Sequence, residues 1–378
     1  MKILFLADPN SIHDIKWMTF FSKKFTCYLI ARRGHLAKWT NSDQKEFATQ
    51  NKIEILGDIE DFRTARFWKN FRNVRRLMEY IEIYQIDIFH IFFAEPNILW
   101  SNFKKRLNVP VFLTTRGTDV LKTIPKFKET GVFGKLVYTL YRRAFRKADC
   151  ITCTSTKQIS AVKKLLGGNF DKINLIRTGV DVDKWIQQPS LPLTTVLADK
   201  KYVLLPRSIL PIYGHELAIT AFAKLDDSLR SQYYLVLIDG KNSDKQYLQA
   251  LETLIKTSPK IDYCILPACN QDEMHALYTN ASLVVMTPKS DGTPVSAIEA
   301  ILCNAPLILP PLDYDRDLFG DDVLKLKSRD DNELSDLMQK ILKKEIELHT
   351  EEAKTQVMSR VSRNDEMTKL ESLYTRFI

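Results

Sequence analysis

The segment PKSDGTPVSAIEAILCNA (288–305) brings together the residue types an anion site needs. A strand-like run ends at Pro288, Ser290–Asp291–Gly292 reads as a turn, and a helix begins near Pro294. Proline in the first helical turn leaves the free N–H groups of the helix start available. The aligned peptide dipoles add positive character there. The backbone N–H groups of Gly292, Thr293 and the residues that follow Pro294, Val295 first, would then face a phosphate. Asp291 and Glu299 put one carboxylate on the turn and one on the helix. By these residues alone, the segment is either a phosphate site or an ordinary strand-to-helix connection.

Other chemistry is sparser. The six cysteines lie at 27, 150, 153, 264, 269 and 303, and Cys150–Cys153 has no second pair at zinc-ligand spacing, so reduced, buried thiols are expected. Asp313, Asp315 and Asp317 alternate as in a solvated loop, and no metal is indicated. His13 and His90 fall near the carboxyl ends of strand-like runs, where ligand-facing residues belong. Asp239 closes another such run.

The elements that would carry these groups are short apolar runs alternating with helical patterns. Examples are KILFLA (2–7), DIFHIFF (87–93), YYLVLID (233–239) and SLVVMTP (282–288), with HDIKWMTFFSKKF (13–25) and HELAITAFAKLDD (215–227) as helices. Buried strands alternating with amphipathic helices predict an α/β protein with parallel, doubly covered sheets. Twelve runs suit two doubly wound, Rossmann-like domains better than one. The expected division is residues 1–185, a Pro-containing linker at 186–200, residues 201–355, and a C-terminal helix at 356–378 that returns to the first domain. Ligands of such sheets sit beyond the strand carboxyl ends, so a cleft between the domains is the expected site.

Composition excludes the disordered and fibrous classes: 45% of residues are hydrophobic, 27% are charged, and no tract is of low complexity. No apolar run reaches the ~20 residues of a membrane span, and the start does not read as a signal peptide. The net charge of +9 is unevenly spread. Residues 1–185 hold 33 Lys+Arg against 18 Asp+Glu (+15), and the remainder holds 22 against 28 (−6). The windows 62–78 and 122–147 concentrate cations among aromatics, and each is expected to form a surface helix. Arg66, Lys69, Arg72 and Arg76 form the candidate membrane face. An ordinary helix packed on its own domain is the competing reading, and nucleic acid lacks any supporting motif.

Several segments, in order, resemble family 4 (group 1) glycosyltransferases of the GT-B fold. Asp291 and Glu299, followed by AILCNAPLIL, resemble the E-x7-E signature. ADCITCTS (148–155), Thr178–Gly179–Val180–Asp181 with Trp185, Pro206–Arg207, and Arg116–Gly117–Thr118–Asp119 resemble other family segments. The departures are Asp291 for Glu, Arg116 for His, Ile212–Tyr213–Gly214 for the Lys-Gly after the arginine, and Pro9–Asn10–Ser11 for a Gly-rich first turn.

The resemblance implies a retaining, metal-independent transferase without a cofactor. It would move a hexosyl unit from a nucleotide-diphosphate sugar to a membrane-associated or lipid-linked glycan acceptor, as in polysaccharide biosynthesis. Carried over, Arg207 and Arg116 would meet phosphate charge and Asp291 the donor-sugar hydroxyls. Glu299 would hold the ribose, with Gly292, Thr293, Pro294, Val295 and Asp239 completing the donor side. Asn10, Ser11, His13, His90 and Asp119 would line the acceptor side. The implied setting is cytoplasmic, peripheral on the inner membrane face. A nucleotide-sugar epimerase of the same fold, and a non-catalytic partner subunit, are the alternatives.

Overall fold

In the computed structural model the described residues are all but Gly292, Thr293, Asp313, Asp315, 320–322 and Glu347; for Arg316 and Asp317 only the backbone is described. Two compact units divide the chain: Met1–Thr178 with Asp365–Ile378, and Gly179–Asn364. The stretch 186–200, expected as a linker, lies inside the second unit, where Leu197 is fully buried.

The first unit is built on seven parallel strands: β1 (Lys2–Ala7), β2 (Thr26–Arg32), β3 (Ile53–Ile59), β4 (Ile88–Phe92), β5 (Val111–Thr114), β6 (Cys150–Cys153) and β7 (Ile173–Leu175). Their order is β3-β2-β1-β4-β5-β6-β7. Successive side chains point to opposite faces, and both faces are apolar. Ile3 and Phe5 join Trp17, Phe21, Leu370 and Tyr374 on one face; Leu4 and Leu6 join Val74, Leu77, Val137 and Phe145 on the other. The helix expected at 356–378 is divided: Thr350–Val361 belongs to the second unit, and Arg363–Tyr374 lies mostly in the first.

The second unit has six parallel strands: β8 (Lys201–Ser208), β9 (Tyr233–Asp239), β10 (Tyr263–Pro267), β11 (Leu283–Val285), β12 (Leu307–Leu309) and β13 (Leu324–Lys325). Their order is β10-β9-β8-β11-β12-β13. Each sheet reverses its winding direction beside its first strand, between β1 and β4 and between β8 and β11. Ligands of such sheets gather at these switch points.

Two expected helices are shorter than the cationic windows. In 62–78 the α-helix begins only at Asn70 and runs to Tyr84, preceded by a 3₁₀ turn at Phe67–Lys69. The 122–147 window breaks into Ile124–Phe127 and Gly131–Lys147. Gly131 takes a left-handed φ of 68° at the break.

Candidate functional site

Arg207 leaves β8 at an irregularity: pairing with β9 slips between Leu205 and Ser208. A bulge of this kind re-aims a side chain at a sheet end. The Arg207 guanidinium stands 3.6 Å from an Asp291 carboxylate oxygen, donates to Ser296 Oγ at 3.5 Å, and lies 4.1 Å over the Tyr213 ring. Both charged side chains are largely buried, at 18% and 9% exposure. Burial opposes the Arg207 charge, yet Asp291 and then Tyr213 hold its pKa above the ordinary value. Three predicted site features therefore meet at one switch point: the β8 arginine, the acid after β11, and the start of helix Val295–Leu302.

Local structure fixes this meeting. Thr287 Oγ1 donates to the Gly214 carbonyl at 2.8 Å, and Arg329 Nη1 donates to the Thr287 and Pro288 carbonyls at 2.9 and 2.8 Å. Lys289 N–H reaches the Ile212 carbonyl at 2.8 Å, and its ammonium pairs with Glu216 at 2.7 Å. The turns after β8 and β11 are thereby tied together. Gly214 is required at this crossing: its φ is 62°, and a Cβ there would sit 2.5 Å from the Thr287 carbonyl oxygen.

Pro294 stands at the N-cap of helix Val295–Leu302 without a capping side chain. Glu299, partly exposed on that helix, adds negative charge near Tyr278 and Arg363. Gly292 and Thr293 lie outside the described residues. Asp239 ends β9, opposite Pro267 of β10. Ser296, Arg329 and the buried Tyr314 were not anticipated, and none belongs to a spacing pattern that marks it; Tyr213 was named only as part of the segment that replaces the Lys-Gly of the resembling family.

His215 follows Gly214, and its Nε2–H donates to the Arg207 carbonyl at 3.0 Å. Burial lowers its pKa from 6.5 to about 4. Because the unfolded chain binds the proton more readily, stability is lost as pH falls from 6.5 toward 4. By linkage the loss reaches about 2 kcal/mol at pH 5. Urea unfolding at pH 7 and pH 5 should show this slope in wild type and a flatter one in His215→Gln. Equal slopes would mean that His215 is not the titrating group.

In the first unit, Ser11 caps helix Ile12–Ser22 by accepting from Asp14 N–H. Asn10 bonds to Asp8, the His35 carbonyl and the Trp39 indole N–H. His13, exposed, is in the first turn of the helix. Arg116 donates to buried Asp14 at 2.6 Å and lies over the Trp17 and Phe92 rings at 4.6 and 5.0 Å. Burial raises the Asp14 pKa, with the Arg116 charge opposing it.

Two predicted acceptor-side residues are enclosed. Asp119 is fully buried, and its oxygens accept from the amides of Ala94, Arg116, Gly117 and Val120, so it shapes the turn after β5. His90 is also fully buried, bonded to the Tyr374 hydroxyl and, at 2.8 Å, to Thr114 Oγ1. Burial, and next the Arg116 charge, hold its pKa well below the usual value.

Of the cations named for a membrane face, Arg66 and Lys69 are exposed beside the 3₁₀ turn. Arg72 pairs with Glu60 at 3.5 Å, and Arg76 bonds to Tyr80 and the Asp58 carbonyl. No helix among the described residues is long and apolar enough to cross a membrane.

The sequence matches two family descriptions. Residues 194–357 match "Glycosyl transferases group 1", and residues 2–155 match "Glycosyl transferase 4-like". No curated protein matches the chain. Among solved structures, Anabaena HepE in complex with UDP and glucose is similar at 14% identity and TM-score 0.74, with all of both chains covered. A Rickettsia africae glycosyltransferase is similar at 16% identity and TM-score 0.74, covering 100% of this chain and 98% of that one. Sucrose-phosphate synthase of Thermosynechococcus elongatus is similar at 15% identity and TM-score 0.68, with the same coverage. Identities this low speak for the fold, but the two sequence matches fall one on each folding unit: the chain belongs to the group 1 glycosyltransferases of GT-B fold.

Proposed function

We propose that this glycosyltransferase takes a hexosyl unit from a nucleotide-diphosphate sugar and passes it, with retention and without a metal, to a membrane-associated glycan or lipid-linked acceptor. The observation that carries the donor half is the buried Arg207–Asp291 pair beside the start of helix Val295–Leu302. Breaking a sugar–diphosphate bond places negative charge on the leaving diphosphate and cationic character on the sugar. Arg207 and the helix-start amides answer the first, and preorganised groups of this kind usually supply the largest catalytic contribution. Asp291 accepts from sugar hydroxyls and Glu299 from the ribose. HepE, similar in fold, has been solved with UDP-glucose. The membrane half rests on the cationic excess of residues 1–185.

The test is a thermal-shift screen over UDP, GDP and their sugars, followed by an assay of sugar release and transfer. A ligand at 100 times its Kd adds about 2.7 kcal/mol, a shift of a few degrees. Stabilisation with sugar release supports the reading. No response to any nucleotide sugar would favour a partner subunit, and epimerised sugar without transfer would favour the epimerase.

A further inference from the structure

We propose that the first unit docks on an anionic bilayer through the turn that joins helices Ile124–Phe127 and Gly131–Lys147, which goes into the headgroup boundary tip first. The inference rests on the reading that the acceptor is membrane-held, and it names a surface other than the Arg66–Arg76 segment.

Helix Gly131–Lys147 has two apolar sides. Val137, Tyr141, Ala144 and Phe145 are buried against the sheet. Val132, Phe133 and Leu136 point elsewhere and are 88%, 57% and 58% exposed. Isolated exposed apolar residues are normal on a protein surface. These three are neighbours at positions i, i+1 and i+4 on the first turns of one helix, so they form a single projecting patch.

The tip is held in place. A Cβ on Gly134 would lie 2.0 Å from Thr130 Oγ1 and 2.3 Å from the Phe127 carbonyl oxygen. The helix start therefore packs closely on the preceding turn, and the patch keeps its outward direction.

Charge selects the occupant. Lys126, Lys128 and Lys135 are exposed around the patch, and none is paired with a carboxylate among the described residues. Glu129 is the one acid between 124 and 147. Further along the helix come Arg142, Arg143, Arg146 and Lys147. An apolar tip on a cationic shaft matches acyl chains beneath anionic headgroups.

The Arg66–Arg76 segment is less suited. Arg63 and Arg72 pair with Glu60, Arg75 with Glu79, and Arg76 lies 3.9 Å from Asp58. Phe67 and Phe71 pack against Phe103. Trp68, 66% exposed, is its main apolar contribution.

The experiment is cosedimentation of the full chain with vesicles of phosphatidylcholine alone and of equimolar phosphatidylcholine and phosphatidylglycerol. Wild type should partition onto the anionic vesicles and leave them as salt rises. The triple variant V132E/F133E/L136E should partition at least about tenfold less. R66E/K69E/R72E/R76E should lose less than that. Unchanged melting temperature and UDP-sugar binding confirm that the variants are folded. Wild-type binding that survives in the triple variant overturns this surface and leaves the membrane-held acceptor standing. A wild type that binds nucleotide sugar but no vesicle removes both. Self-association that the triple variant abolishes, without vesicle binding, overturns the proposal in favour of a contact between copies.

Discussion

Arg207→Ala should lower kcat by about 10²–10³ with a much smaller change in KM. Removal of one preorganised donor from a site of developing charge costs this much, and a group acting chiefly in the transition state acts on kcat. Arg207→Lys should recover part of the loss, since it restores charge but not the flat guanidinium that lies over the Tyr213 ring. The alanine variant also leaves Asp291 largely buried without this partner. Stability should fall, and the melting temperature must be followed alongside the kinetics. Steady-state kinetics over donor concentrations from well below KM to saturation provide the measurement. A rise in KM alone would make Arg207 a binding residue and end its electrostatic assignment.

Glu299→Ala should weaken nucleotide binding about 10–100-fold and leave the fold intact. A carboxylate accepting from a pair of hydroxyls is worth roughly 1.5–3 kcal/mol. Glu299 is only partly buried on its helix, and its truncation opens no large cavity in the core. Calorimetric titration with UDP, or whichever nucleotide gives the largest thermal shift, reads the change. Equal affinities would place Glu299 outside the donor site.

The strands were legible because a strand buried on both faces has no polar alternation to hide it. Lys2–Ala7 and Tyr233–Asp239 match their apolar runs end to end. β13 was not legible: two residues, Leu324 and Lys325, are too few to make a pattern. The aromatic spacing in 62–78 fits a helix and equally a 3₁₀ turn followed by one, so its start was misplaced by several residues.

The meeting of Arg207, Asp291 and the start of helix Val295–Leu302, proposed as the donor side, was legible where position along the chain is informative, at strand ends and helix starts. What the sequence withholds is which polar atoms the fold itself consumes. Asp119 and His90 fall where ligand residues belong, yet backbone amides enclose the first and Tyr374 and Thr114 the second. Arg116 meets Asp14, 102 residues away, a partner no local spacing reveals. Tyr213 occupies the turn where the resembling family has Lys-Gly, and its ring lies under the Arg207 guanidinium.

The two units differ in continuity. Gly179–Asn364 is one uninterrupted stretch, whereas the first unit needs Asp365–Ile378 as well. A ribosome delivers the chain from its N-terminus, and domains generally form as their sequence emerges. The β1–β7 sheet is therefore synthesised early, with the apolar face that Met367, Leu370, Leu373 and Tyr374 will cover still open. The second unit can mature in the meantime. Until the last helix arrives, the nascent first unit exposes an adhesive surface, and stalled or truncated translation would leave it a substrate for chaperones and proteases.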